Sequence, residues 1–400
     1  MANRKDRLSG NEAIALAMKE MNMDVMAAFP ITPSTEVPQY FSQYVANGET
    51  QTLFIPVESE HSAMSACVGA QAAGARSCTA TSSCGLSLMT EMLHVASSLR
   101  LPVTMACVTR ALTGPINIHN DHGDAMSVRD SGWIQLYAEN AQEAYDLYIM
   151  SVRVAEDRRV QLPVMACQDG FITSHAVENI ELLDGESIRA FVGFYEPEEF
   201  LLNSGRKVAF GPYDSPVYLM EHKRQQAQAM IDAKEVIREV AAEFETISGR
   251  RYDLLETYKT EDAERILILL GSSCGTAKYA VEKLRARGEK VGLVKIRAYR
   301  PFPAAELMQA IRNAKAVAVM DKSEGLSALG GPVFADVCAA LCQNGVSAGP
   351  LMMNYVYGLG GRDVKPEHIA EVFADLADDL AGRNARVHSA AGYRYLAVRE

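Results

Sequence analysis

Three stretches of this 400-residue sequence carry side chains whose types and spacing could do chemistry. The first is VESEHSAMSACVGAQAAGAR, 57–76. Glu58, Glu60 and His61 open a helical run in which nearly every side chain from Ser62 to Ala75 is small. Small residues let a helix pack closely, so a carboxylate on it is partly desolvated and holds its proton more tightly. Such a group suits proton exchange with a ring nitrogen. The alternative is that both glutamates merely complement the dipole at a helix start.

The second stretch, TRALTGPINIHNDHGDAMSVRDSGW (109–133), follows the apolar run LPVTMACV (101–108). An arginine just past a strand end, Arg110, suits a substrate bearing a carboxylate, because its fork can bind both oxygens. His119, Asp121, His122 and Asp124 could be read as metal ligands, but they crowd a glycine-containing loop instead of standing at helical ligand spacing, so no metal site is expected. The third stretch is AAFPITPSTE, 27–36. Pro30 and Pro33 fix the backbone on each side of Ile31-Thr32. Pro33 reads as the first residue of a helix and Thr32 as its N-cap, a hydroxyl placed where anions are favoured. A plain helix cap is the competing reading.

The elements that must position these groups are short apolar strands alternating with helices. DVMAAF (24–29), LPVTMACV and LPVMAC (162–167) read as buried strands. Ser9 with Glu12 forms a capping box, and Asn140 caps a helix over 140–158. This pattern implies a doubly wound parallel sheet, with ligands at the strands' carboxyl ends. Residues 1–180 form this first unit. Residues 181–264 read as a connection containing a long helix from about Val217 to Ile247, with an apolar seam at Met230, Ala233, Ile237, Val240, Phe244 and Ile247. Residues 265–382 form a second α/β unit, with strands in RILILLGSS, KVGLVKIRAY and AVAVMD and a helix ending on Gly288. Residues 383–400 read as a tail that needs a partner surface.

Bulk properties narrow the function. The composition is 48% hydrophobic and 22% charged, with a net charge of −11. That acidity disfavours nucleic acid and anionic membrane as partners. No apolar run approaches the ~20 residues of a membrane helix, and no leader is apparent, so the cytoplasm is expected. Eight cysteines include no Cys-x-x-Cys pair, which leaves them as buried small hydrophobes and not as cluster ligands. No G-x-G-x-x-G, Walker A or G-x-S-x-G motif occurs.

Together FPITPSTE, ESEHSAMSA with VGAQAAGAR, TATSSCGL, TRAL…NDHGD…RDSGWIQ, QDGFITSH, RPFP and GLGGRDV form an ordered set. In these the chain resembles the α subunit of pyruvate:ferredoxin oxidoreductase and its thiamine-diphosphate-dependent 2-oxoacid:acceptor relatives, over about residues 8–380. The resemblance implies a pyrimidine-type thiamine-diphosphate-binding domain followed by a transketolase-C-terminal-like domain. It implies conversion of a 2-oxoacid and coenzyme A to acyl-CoA, CO2 and two low-potential electrons. It makes Glu60 the catalytic glutamate, with Glu58 the competing choice. It assigns Thr32 and Arg110 to the substrate carboxylate, and Pro30, Ile31, Ser83 and Cys84 to the cofactor. Mg2+ and [4Fe-4S] clusters fall to partner subunits, with β, γ and ferredoxin-like δ chains in a dimer of hetero-oligomers. This division fits the lack of a Gly-Asp-Gly…Asn motif.

Three positions depart from the family pattern. Phe29 stands for a common tyrosine, Cys84 for glutamine and Thr109 for asparagine. If they line the pocket, it is more apolar than a pyruvate pocket. Pyruvate is favoured, with 2-oxoisovalerate or phenylglyoxylate as the alternative. A non-catalytic scaffolding α-like chain is the reading from a different class.

Overall fold

The computed structural model describes residues 4–326, 329–344, 349–383 and 393–399. Its strands are β1 Arg4–Leu8, β2 Val25–Ala28, β3 Leu53–Pro56, β4 Ser77–Thr81, β5 Thr104–Thr109, β6 Ile134–Tyr137, β7 Val164–Asp169 and β8 Glu178–Leu182. They continue as β9 Leu255–Tyr258, β10 Arg265–Leu269, β11 Val291–Ile296, β12 Ala298–Arg300, β13 Ala316–Asp321, β14 Leu351–Val356 and β15 Arg394–Tyr395. The helices are α1 Gly10–Met21, α2 Glu36–Ala46, α3 Glu60–Ala73, α4 Ser83–Leu88, α5 Thr90–Ser98, α6 Gly123–Ser127 and α7 Ala141–Glu156. After them come α8 Gly185–Val192, α9 Leu219–Ser248, α10 Ser273–Arg285, α11 Ala304–Ile311, α12 Pro332–Gln343 and α13 Pro366–Leu380.

Strands β2 to β7 make a parallel sheet in the order β6-β7-β5-β4-β2-β3, with β12 added antiparallel beside β6. The chain steps outward from β2 to β3, then returns to the other side of β2 for β4 and β5. Such a reversal opens a crevice at the carboxyl ends of β2 and β4, the usual place for a ligand in an open α/β sheet. β2, β4, β5 and β7 are buried along their whole length. Helices therefore cover both faces, and near-continuous apolar runs follow.

The local signals read from sequence act as expected at two helix starts. Ser9 and Glu12 form the capping box of α1, and Asn140 accepts from Glu143 N–H at 2.9 Å to start α7. α9 is one long helix whose Ala233, Ile237, Val240 and Phe244 are buried in the core that it shares with α1 and α7. Its seam thus lies on a core. Gly288 falls three residues beyond the end of α10, where its N–H donates to Arg285 O at φ +84°.

Other expectations give way. Thr32 is not a helix cap. Residues 32–35 form a turn in which Ser34 N–H and hydroxyl both donate to Ile31 O, and α2 starts only at Glu36. The Ser34 N–H, the donor a Thr32 cap would accept, is thereby spent on Ile31 O. The N-terminal residues before the capping box pair as β1 with β8. KVGLVKIRAY divides, with β11 in the second sheet and β12 in the first. Within the tail, 384–392 and 400 lie outside the described residues. Its Arg394–Tyr395 pairs with β14 of the same chain.

The second sheet runs β15-β14-β13-β10-β11-β9 and is parallel except for β9. One apolar cluster joins the two sheets, from Met105 and Met165 on the first to Ile268, Val294 and Val319 on the second. Beside it lies a buried charge network. Lys295 Nζ donates to Glu139 and Glu143, each at 2.6 Å, and lies 3.0 Å from Glu256, while Arg297 binds Glu143 and Glu256 at 3.0 Å. Burial opposes the Lys295 charge, but Glu143 and Glu139 outweigh it and hold the ammonium above its usual pKa. Removing one partner of a buried network strands the other charges. Lys295→Met is expected to cost about 3–5 kcal/mol of stability, read from the urea midpoint of the assembled complex. A loss below about 1 kcal/mol would count against this role for Lys295. No helix among the described residues is long and apolar enough to cross a membrane.

Candidate active site

Four loops leave the carboxyl ends of β2, β3, β4 and β5 side by side, and each carries one of the sequence-selected groups. Glu60 is the first residue of α3, which Ser59 caps by accepting from Ser62 N–H. Its side chain is buried, 6% exposed, and makes no hydrogen bond among the described residues. The reason it fits is Gly85 in α4. A Cβ there would lie 2.6 Å from both Glu60 Oε1 and Thr81 Oγ1. The hydroxyls of Thr81 and Ser82 are likewise buried without a partner. Glu58 instead faces solvent and accepts from the Ser62 hydroxyl, which lowers its pKa. Of the two competing carboxylates, only Glu60 is buried and unspent.

Arg110, also 6% exposed, reaches across the mouth. Its Nε donates to Asn117 O at 2.9 Å and its Nη1 to Thr32 O at 3.0 Å. Arg110 and Thr32 are therefore brought together, though through the threonine's backbone, while the Thr32 side chain is exposed. Pro30 is exposed and Ile31 half-buried on the same turn. Ser83 begins α4 and is buried, its hydroxyl donating to Ala111 O at 2.5 Å. Cys84 is exposed, with its Sγ 3.0 Å from Thr113 Oγ1, and a hydrogen bond from that hydroxyl to the thiolate form lowers its pKa. Thr109 turns away from the crevice: it is fully buried, with its hydroxyl 2.8 Å from Asn120 Oδ1. Of the three departures, only Phe29 and Cys84 can touch a ligand.

The crowded His/Asp loop separates into three unrelated roles. Asp121 accepts from Gly123 and Gly360 N–H groups. His122 pairs with Asp169 at 2.8 Å, and Asp169 also accepts from Lys322 Nζ at 2.9 Å and the Ser272 hydroxyl at 2.6 Å. Burial would raise the Asp169 pKa, but Lys322 and His122 outweigh it and hold the carboxyl well below the usual range. Asp124 accepts from the N–H groups of Ser83 and Arg110. Burial pushes its carboxyl up to about 7. Sequence reasoning left Asp124 inside a metal alternative and missed Asn117 and Gly85. The only signal for Gly85 was its place just after the hydroxyl cluster in TATSSCGL.

A thiamine aminopyrimidine needs a carboxylate for its ring nitrogen and hydroxyl or carbonyl partners for its amine. An unspent buried glutamate beside a glycine and the orphaned Thr81 hydroxyl fits that need. Gly85→Ala would force its methyl against Glu60 and Thr81. It is expected to lower kcat by about 10²-fold with normal assembly, since misplacing a reacting group by about 1 Å costs that much. Parent-like turnover in the assembled variant would remove Gly85 from the site.

Comparison with known proteins identifies the family. Residues 16–242 match the family described as pyruvate flavodoxin/ferredoxin oxidoreductase, thiamine diP-bdg, and residues 263–369 match pyruvate:ferredoxin oxidoreductase core domain II. The pyruvate synthase subunit PorA of Thermotoga maritima is 51% identical over 92% of this chain and 93% of its own length. The ketoisovalerate oxidoreductase subunit VorA of Pyrococcus abyssi is 41% identical over 93% of each chain. Among solved structures, a 2-oxoglutarate:ferredoxin oxidoreductase from Magnetococcus marinus with 2-oxoglutarate, coenzyme A and succinyl-CoA bound superposes with a TM-score of 0.72. It is 21% identical, and the match covers 94% of this chain but 65% of that longer one, so it speaks for the fold alone. A doubly wound sheet with its ligand crevice at β2 and β4, two family matches in tandem and half-identical relatives of full length lead to one conclusion: the chain belongs to the pyruvate:ferredoxin oxidoreductase family, as the α-type subunit of a 2-oxoacid oxidoreductase.

Proposed function

We propose that this subunit works on pyruvate, and that Glu60 and Arg110 carry its share of the reaction. Glu60 holds the aminopyrimidine nitrogen of thiamine diphosphate and exchanges a proton with it. Arg110 and the Thr32 hydroxyl hold the substrate carboxylate. Pro30, Ile31 and Cys84 line the cofactor side. Ser83 joins them through its oxygen, whose proton is already given to Ala111 O. When bound, thiamine diphosphate supplies the nucleophilic carbon and the electron sink for decarboxylation. Arg110 contributes orientation, and a carboxylate held off the plane of the forming bonds departs more readily than one bound tightly in its ground state.

The observation that carries this reading is the buried, unpartnered Glu60 carboxylate against Gly85 of α4, the helix whose first residue Ser83 shares one Asp124 oxygen with Arg110. The Mg2+–diphosphate site and [4Fe-4S] clusters then belong to a β partner, with γ and ferredoxin-like δ chains completing a cytoplasmic complex that uses coenzyme A. Relatives named pyruvate synthase support pyruvate. Phe29 and Cys84, together with the 41%-identical ketoisovalerate relative, favour a second reading with a bulkier substrate.

The test is acyl-CoA formation by the purified complex from pyruvate, 2-oxoisovalerate, 2-oxoglutarate and phenylglyoxylate. The highest kcat/KM is expected with pyruvate. A preference for 2-oxoisovalerate or phenylglyoxylate above about tenfold, worth about 1.4 kcal/mol, establishes the second reading. A complex that binds no thiamine diphosphate would make this chain a scaffold.

A further inference from the structure

Asp124 lies in the first turn of α6, and its side chain is completely buried. Its Oδ1 accepts from Ala125 N–H at 2.7 Å, which is all that helping to start its own short helix requires. Its Oδ2 does something else. That single oxygen accepts from Ser83 N–H at 2.8 Å and from Arg110 N–H at 2.9 Å, residues 41 and 14 positions away in the chain.

Each of those N–H groups belongs to a different part of the crevice. Ser83 starts α4, which carries Gly85 against Glu60. Ser83 also sits at φ +47°, in the left-handed region that costs a non-glycine residue energy, so something must hold it there. The Asp124 bond to its N–H and the Ala111 bond to its hydroxyl are the holders. Arg110, in turn, begins at its N–H the side chain that ends on Asn117 O and Thr32 O. One oxygen therefore fixes where α4 and the arginine stand relative to each other.

We propose that Asp124 is a positioning residue for the reaction: it touches neither substrate nor cofactor, and it sets the separation between the Glu60 support and the Arg110 guanidinium. This rests on the roles given above to Glu60 and Arg110. Asparagine can present its amide oxygen to both N–H groups and lose only the local bond to Ala125. Alanine loses all three.

The experiment compares Asp124→Asn, Asp124→Ala and Arg110→Lys in the assembled complex. Asp124→Ala is expected to lower kcat by about 10²-fold and raise KM for the 2-oxoacid by about tenfold, while KM for coenzyme A stays within about twofold. Asp124→Asn is expected to recover kcat to within about fivefold of the parent. A purely structural role would lower the unfolding temperature of both variants and leave the kinetic constants of the folded complex alone; that result overturns the proposal. So does an asparagine variant as slow as the alanine one. If Asp124→Ala does not assemble, Asp124→Ser, which can serve at most one of the two distant N–H groups, takes its place under the same expectations. Should Arg110→Lys leave the 2-oxoacid KM at the parent value, the reading of Arg110 fails. Asp124 is then judged on thiamine diphosphate affinity by calorimetry: a loss of about tenfold in alanine, restored in asparagine, supports it, and unchanged affinity overturns it.

Discussion

Replacing Glu60 with glutamine is expected to lower kcat for acyl-CoA formation by about 10²–10⁴-fold, the range that general acid–base groups contribute. The complex should assemble normally and unfold at the parent temperature. The physical case is unusually clean for an active-site substitution. Glutamine has the shape of glutamate, so it fills the same space against Gly85 and Thr81. Glu60 makes no hydrogen bond among the described residues, so no intramolecular partner is lost. What disappears is the ability to hold a proton and give it back. Thiamine diphosphate affinity, measured alongside turnover, separates two contributions. A drop in kcat with little change in affinity assigns Glu60 to proton exchange, and a matching drop in both assigns it to holding the ring. Full turnover in the assembled variant would remove Glu60 from the chemistry altogether and return attention to Glu58. The exposed position of Glu58, with its carboxylate on Ser62, makes that outcome physically hard to accommodate.

How much of this was legible beforehand follows from the range of each signal. Capping acts within one turn, so Ser9 with Glu12 and Asn140 with Glu143 were readable from neighbouring letters. Burial on both faces makes a strand apolar along its length, so β5 and β7 stood out. Period and composition mark a strand but do not name its partner. The polar RKDRL strand β1 therefore gave no hint of pairing with β8, some 170 residues away by the numbering of the pairs. The same limit hid the passage of β12 into the first sheet.

At the site, residue type carried the chemistry further than position did. A small-residue helix led to Glu60, and a strand-end arginine led to Arg110. The cap assigned to Thr32 failed because the Ser34 N–H, the donor a Thr32 cap would accept, goes to Ile31 O instead. The role of Asp124 could not be read at all, since it depends on one oxygen meeting two N–H groups from separate loops. The sequence placed it beside Asp121 and His122, yet the fold turns those three side chains to different partners.

The second large effect is expected at Arg110. Arg110→Met should reduce kcat/KM for the 2-oxoacid by about 10²–10³-fold, since charge-assisted hydrogen bonds are worth about 1.5–3 kcal/mol each. KM for coenzyme A should hold steady. Arg110→Lys is the sharper variant. It keeps the positive charge in the crevice, but an ammonium cannot hold Asn117 O and Thr32 O in one plane and still present a second donor to a carboxylate. In the arginine, Nε and Nη1 are occupied by those carbonyls, and Nη2 has no partner among the described residues. The planar fork is thus half anchor and half free donor. If charge alone served the substrate, lysine would restore most of the lost kcat/KM. If the anchored geometry is what matters, lysine should recover less than about tenfold of it, with KM carrying most of the defect. An Arg110→Met variant as fast as the parent would show that the carboxylate is held elsewhere, and would leave Arg110 as a brace between the Thr32 turn and the Asn117 loop.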